Sequence, residues 1–170
     1  PHYLSYAHSN LGSIYLQLGD YLKAENEFNS GIMAKPTLPT NHFNLGTLLA
    51  SQGRNLEAKS SYEKAENLYK NYKWGYQIPT ELYINQARLL LKLRLYEEAE
   101  IYINDYLKQI PNSGPGHFIL ANIFAATGKQ EKALYEYTQV GSAPKLKAEA
   151  HNNRALIFIK NKSFKHALKE

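Results

Sequence analysis

A recurring alanine constrains this chain more than any other feature. Ala24, Ala58, Ala99, Ala133 and Ala167 are separated by 34, 41, 34 and 34 residues. Four residues after each of the first four stands a bulky apolar side chain, Phe28, Tyr62, Ile103 or Tyr137. Twelve residues before each alanine is another small residue: Gly12, Gly46, Ala87, Ala121 and Ala155. Three residues beyond those come Tyr15, Leu49, Leu90, Phe124 and Phe158. Two helices packed antiparallel at close range need a small side chain where their backbones approach and large ones in the flanking gaps. The pattern therefore predicts helix pairs repeating about every 34 residues, and periods of this length mark arrays of supersecondary units.

Turn signals sit between the two helices of a pair: Leu18-Gly19-Asp20, Gln52-Gly53-Arg54 and Thr127-Gly128-Lys129. Glycine suits the left-handed position that ends a helix. After the second helix, Pro36 and Pro111 act as stops, and Pro144 reads as a stop placed slightly early. With Leu11-Gly12-x2-Tyr15, Ala24-x3-Phe28 and Pro36, the pattern resembles the tetratricopeptide repeat, whose signature runs W-x2-L-G-x2-Y, A-x3-F and P over one period.

The resemblance implies an all-α fold, a right-handed superhelical solenoid of antiparallel helix hairpins with about four and a half repeats. On that register a single array over 1–170 holds repeats at 5–38, 39–72, 80–113 and 114–147, and a truncated one at 148–170. The signature tryptophan is replaced by His8, His42, Tyr83, His117 and His151, its leucine by Gln86 and Arg154, and the third turn carries Arg94 in place of glycine. Repeats three and five are therefore expected to be the least regular. An insertion at 73–79, with Trp74, separates repeats two and three; it reads either as a longer second helix with a locally packed loop or as a ligand-contacting loop. The start lacks an obvious cap and the end falls inside a second helix, as expected for a piece of a longer protein or for ends that pair with another copy.

The family's first helices line a concave groove, and transferring that register to this chain gives a candidate peptide-binding set. Its sixth position holds Asn10, Asn44, Asn85 and Asn153, interrupted by Ile119. An amide side chain donates and accepts, so such a row can hold an extended backbone without regard to its sequence. It is similar to the asparagine ladder in the repeat domain of O-linked N-acetylglucosamine transferase. Tyr6, Phe43, Ile84 and Phe118 would supply apolar pockets, and Ser13, Thr47, Arg88 and Asn122 polar contacts. The carboxylate clamp that some relatives use for chaperone tails is not matched, since Ser9, Ser13, Glu81 and Asn85 occupy its slots beside Asn44.

Catalytic and metal chemistry find no foothold. Cysteine is absent, which removes disulfides, thiolate metal sites and a cysteine nucleophile. There is no HExxH, P-loop, GxGxxG or GxSxG pattern. His8, His42, His117 and His151 share one repeat position, but equivalent residues of neighbouring hairpins lie on the order of 10 Å or more apart, too far to share a metal. They read as packing residues, and Glu97-Glu98 as a solvated helix start. The net charge of +5 favours acidic partners in a general way, yet the Lys and Arg are scattered, unlike a nucleic-acid surface. No apolar run is long enough to span a bilayer. Asn161-Lys162-Ser163 fits a glycosylation sequon, a pattern frequent by chance.

The function expected is thus non-catalytic, with no cofactor and no metal: a scaffold binding a peptide or a protein surface in the groove. Two other readings stand beside it. The repeats would recruit substrate or give structure within a larger multidomain enzyme, such as a membrane glycosyltransferase, or would self-associate through uncapped ends.

Overall fold

The computed structural model describes residues 2–71 and 77–160. Residues 73–76 of the insertion, the sequon and the second helix of the fifth repeat lie outside them. Among the described residues the regular elements are all helices: α1 (His2–Gln17), α2 (Tyr21–Ala34), α3 (Pro39–Ser51), α4 (Asn55–Lys70), α5 (Thr80–Lys92), α6 (Tyr96–Gln109), α7 (Gly114–Ala126), α8 (Gln130–Thr138) and α9 (Pro144–Lys160). They fall into two compact units, Pro1–Leu89 and Leu90–Glu170.

In the first unit α1 packs on α2 and α3 on α4, and the small-plus-large pattern is what lets them close. A Cβ added to Gly12 would sit 2.6 Å from the Phe28 ring, and one added to Gly46 would sit 2.6 Å from Tyr62. Ala24, Phe28, Ala58 and Tyr62 are accordingly buried. The second hairpin docks on the first by setting Leu48 against Ala24 and Phe28, with Leu45 alongside. The same register positions on α1, Leu11 and Ile14, are exposed, as are Leu4 and Leu18.

Polar bonds fix this docking. Buried Asn41 donates through Nδ2 to Ser5 Oγ at 2.8 Å, and Ser5 Oγ donates to Gly31 O at 2.8 Å. Arg54 spans Glu25 of the first hairpin and Glu57 of its own, at 2.8 and 2.7 Å. Gln86, where the signature has leucine, meets a matching polar group: its Nε2 donates to Glu66 Oε2 at 3.1 Å, both residues being buried. Lys70 holds the other Glu66 oxygen at 2.6 Å.

The second unit repeats the scheme with α7 on α8, and Ala121, Phe124, Ala133 and Tyr137 are all buried. Lys129 reaches back to Glu100 at 2.8 Å, the counterpart of Arg54 and Glu25. Among the described residues the four turns within hairpins close alike, with the residue after the turn bonding five positions back: Asp20 to Tyr15, Arg54 to Leu49, Leu95 to Leu90 and Lys129 to Phe124. The turn residue is left-handed each time, Gly19, Gly53 and Gly128 at φ 77° and Arg94 at φ 60°. Arg94 adopts glycine's conformation at a steric cost of about 1–2 kcal/mol.

Pro144 is not a stop. α8 ends at Thr138, the chain turns through Gly141 at φ 81°, and Pro144 opens α9, where its missing N–H costs nothing. The four histidines pack against partners, as expected of structural residues. His8 Nδ1 lies 2.7 Å from Glu27, His42 Nε2 2.9 Å from the Pro36 carbonyl, and His117 contacts Glu136 at 2.6 Å and the Pro111 carbonyl at 2.8 Å; His151 is also engaged. Among the described residues no group of three or more metal-binding side chains comes together.

Candidate functional site

Each candidate residue lies on a first helix, spaced so that one face presents them in turn. In the first unit α1 carries Tyr6, Asn10 and Ser13, α3 carries Phe43, Asn44 and Thr47, and α5 carries Ile84, Asn85 and Arg88. Offsets of four and three residues put Tyr6, Asn10 and Ser13 on one stripe of α1, while Thr47 and Arg88 stand four and three residues beyond the adjacent pairs Phe43–Asn44 and Ile84–Asn85. In the second unit Phe118 and Asn122 stand on α7 and Asn153 on α9.

The asparagines are not equivalent. Asn10 is exposed, whereas Asn44 is half-buried and donates from Nδ2 to Ser9 Oγ at 3.0 Å and Ser13 Oγ at 3.4 Å. Ser13 Oγ in turn donates to the Ser9 carbonyl at 2.9 Å. Asn85 Oδ1 accepts from exposed Arg88 at 3.4 Å. Asn153 donates from Nδ2 to Asn122 Oδ1 at 3.1 Å and to the Tyr137 hydroxyl at 3.2 Å. Two members of the row, Asn44 and Asn153, therefore stitch one hairpin to the next through the amide nitrogen.

Two residues that the candidate set omits complete this surface from behind. Tyr62 and Tyr137 rise from the second helices, and their hydroxyls reach Thr47 Oγ1 at 3.2 Å and Asn122 Oδ1 at 2.5 Å. Their rings pack on Phe43 and Phe118, each at 5.9 Å between centroids. Burial pushes both phenols above the ordinary tyrosine value, so the hydroxyls serve as neutral donors. The signal was present in the sequence: these two repeats carry Tyr where the first has Phe28, opposite a polar Thr47 or Asn122.

In the second unit this arrangement opens into a cleft of about 270 Å³. It is lined by the polar groups of Asn122, Tyr137 and Asn153, by apolar Leu156 and Ile157, and by Lys160. Leu156 is 56% exposed there, which leaves apolar surface that a ligand could cover. The cleft combines apolar surface with polar groups fixed by hydrogen bonds, the composition that orients a bound chain.

The tetratricopeptide repeat pattern matches residues 5–38, 39–72 and 80–113. The chain belongs to the tetratricopeptide repeat family. No curated protein matches it by sequence. Among solved structures it is similar to MamA 41-end from Desulfovibrio magneticus RS-1, with a TM-score of 0.82 at 15% identity over 97% of this chain and 89% of that one. YrrB, a TPR protein with an unusual peptide-binding site, gives 0.78 at 17% identity over 95% and 80%. PilW, a widely conserved type IV pilus biogenesis factor, gives 0.80 at 22% identity over 97% and 74%. At these identities the likeness shows the all-helical repeat fold. The family is in general a non-catalytic, protein-interaction fold. Among the described residues no helix is long and apolar enough to cross a membrane.

Proposed function

We propose that the chain is a non-catalytic scaffold that holds a peptide or a protein surface along its first-helix faces. One observation carries this reading: Asn122, Tyr137 and Asn153 are locked together in the lining of an open cleft that exposed Leu156 also lines. With the amide nitrogens of Asn44 and Asn153 already bonded within the protein, their oxygens are left to accept from a partner's backbone N–H groups. Within each unit such an oxygen would accept from a bound extended backbone. A peptide-binding relative of the same fold, YrrB, is consistent with such use.

The test is a selection of peptides from a random display library against the full chain, followed by calorimetric titration of the best binders. Leu156→Asp, on an exposed side chain, is expected to weaken binding about tenfold without changing the thermal midpoint, while Asn44→Ala lowers stability by about 1 kcal/mol through its lost hydrogen bonds. Peptides that bind the Leu156→Asp variant as tightly as the parent would sink the cleft reading.

The exposed Leu11 and Ile14 favour a second reading. Their counterparts on α3 are covered by a neighbouring hairpin, so another hairpin, from a second copy or from elsewhere, would cover them in the same way. Sedimentation equilibrium checks this: a mass that rises with concentration and returns to the monomer in Ile14→Glu supports it, and a monomer throughout removes self-association.

A further inference from the structure

α8 is nine residues long, whereas α6 in the same unit runs for fourteen. Where a longer helix would continue, the chain folds back through Val140 and Gly141, and the Val140 carbonyl comes so close to Gly114 that a Cβ there would lie 2.1 Å from it. The missing turn leaves a cleft of about 180 Å³ between the end of α8 and the start of α9. It shares only Tyr137 with the cleft described above.

Its chemistry differs from that of the other cleft. Lys147, His151 and Arg154 line it from α9, and their spacing of four and three residues places all three on one helix face. Thr138, Val140 and Gly141 line it from the chain that leads into α9, and among the described residues no Asp or Glu lines it. His151 and Arg154 also engage other groups of the chain, while Lys147 is exposed. Lys147 lies in the first turn of α9, the end of a helix that favours negative charge.

We infer that this cleft is a binding site for a single oxyanion of a partner peptide, a carboxylate or a phosphate. Arg154 offers a planar fork that matches either group, Lys147 a compact charge and His151 a further ring nitrogen. The enclosing walls reduce the screening that solvent would impose on an open surface. The site stands apart from the ladder reading, because it shares neither asparagine nor apolar wall with it.

Backbone amide shifts in the full chain test this, with inorganic phosphate and a blocked tetraglutamate peptide titrated separately. The expected result is saturable movement confined to residues 138–141 and 147–154, with affinity roughly tenfold lower in Arg154→Gln. Lys147→Glu, at an exposed position, keeps the test open where the arginine variant fails to fold, and it is expected to abolish the response. Response to phosphate alone assigns a phosphorylated side chain, and response to both assigns the carboxylate as well. Shifts spread over all the lysines, or unchanged in Lys147→Glu, overturn the site.

Discussion

The hairpin of α3 and α4 and the hairpin of α7 and α8 are built to one plan and finished differently. Both set a tyrosine from the second helix beneath a small residue of the first, and both aim its hydroxyl at a polar group nine residues into the repeat, Thr47 or Asn122. Both bring a histidine to the carbonyl of the preceding proline, Pro36 or Pro111. Yet α4 runs for sixteen residues and α8 for nine. Tyr62 is 2% exposed and fully enclosed, whereas Tyr137, 4% exposed, forms part of the wall of two clefts. The central packing of a hairpin is evidently separable from its ends: the middle sets the angle of the two helices, and the ends are free to open surface.

Removing the two tyrosines breaks the comparison most severely. Tyr62→Ala is expected to cost roughly 3–5 kcal/mol, the usual range for a large ring deleted from a closed core. Tyr137→Ala should cost less, because its surroundings already border open space; urea unfolding of both variants measures the difference, and equal losses would mean that the short α8 leaves no slack. Next in size is Gly46→Ala. The fourth repeat already carries Ala121 at this position, but in the second a Cβ would lie 2.6 Å from the Tyr62 ring, so a loss of about 1–3 kcal/mol is expected. A neutral result would show that the second hairpin can relax to the spacing of the fourth.

The smallest effect concerns the histidines. His117 has Glu136 beside it, while the second repeat has Ser61 there and His42 is buried. That burial is the main cause of a proton affinity below the ordinary imidazole value, opposed by the bond to the Pro36 carbonyl. The unfolded chain then binds a proton more readily than the folded one. The stabilisation is complete above about pH 6.5, the unfolded imidazole value, and is lost as pH falls through the depressed folded value. His42→Gln keeps a donor for the carbonyl and removes the titration, so its urea midpoint should fall less than the parent's between about pH 7 and about pH 5. An identical pH profile in parent and variant would clear His42 of any part in acid sensitivity.

Helix pairing and the first-helix faces were legible because a small residue twelve positions ahead of another is a direct imprint of backbone approach. Gly12 and Gly46 read as contact points, and a ring presses on each. What the sequence hid was choice among equivalents. Pro144 sits where a stop and a start look alike, and only the fold of Val140 and Gly141 decides between them. Arg94 took the left-handed turn without glycine because the neighbouring turn bonds impose the same geometry. The asparagine row was visible, but its division into exposed Asn10 and bonded Asn44 and Asn153 depends on serines, an asparagine and a tyrosine brought in from a different hairpin.

The meeting of Gln86 with Glu66 reaches beyond the strength of one hydrogen bond. Hairpins cut to a common pattern face a hazard during assembly, since any one of them can mistake a wrong neighbour for the right one. A leucine at the Gln86 position would accept many neighbours equally. A hairpin that docked out of order would instead leave Glu66 with Lys70 but without its amide donor, at a cost of about 1–3 kcal/mol. The departure from the repeat consensus would in that way serve as an address, favouring the hairpin that carries Glu66 as the neighbour of the third repeat.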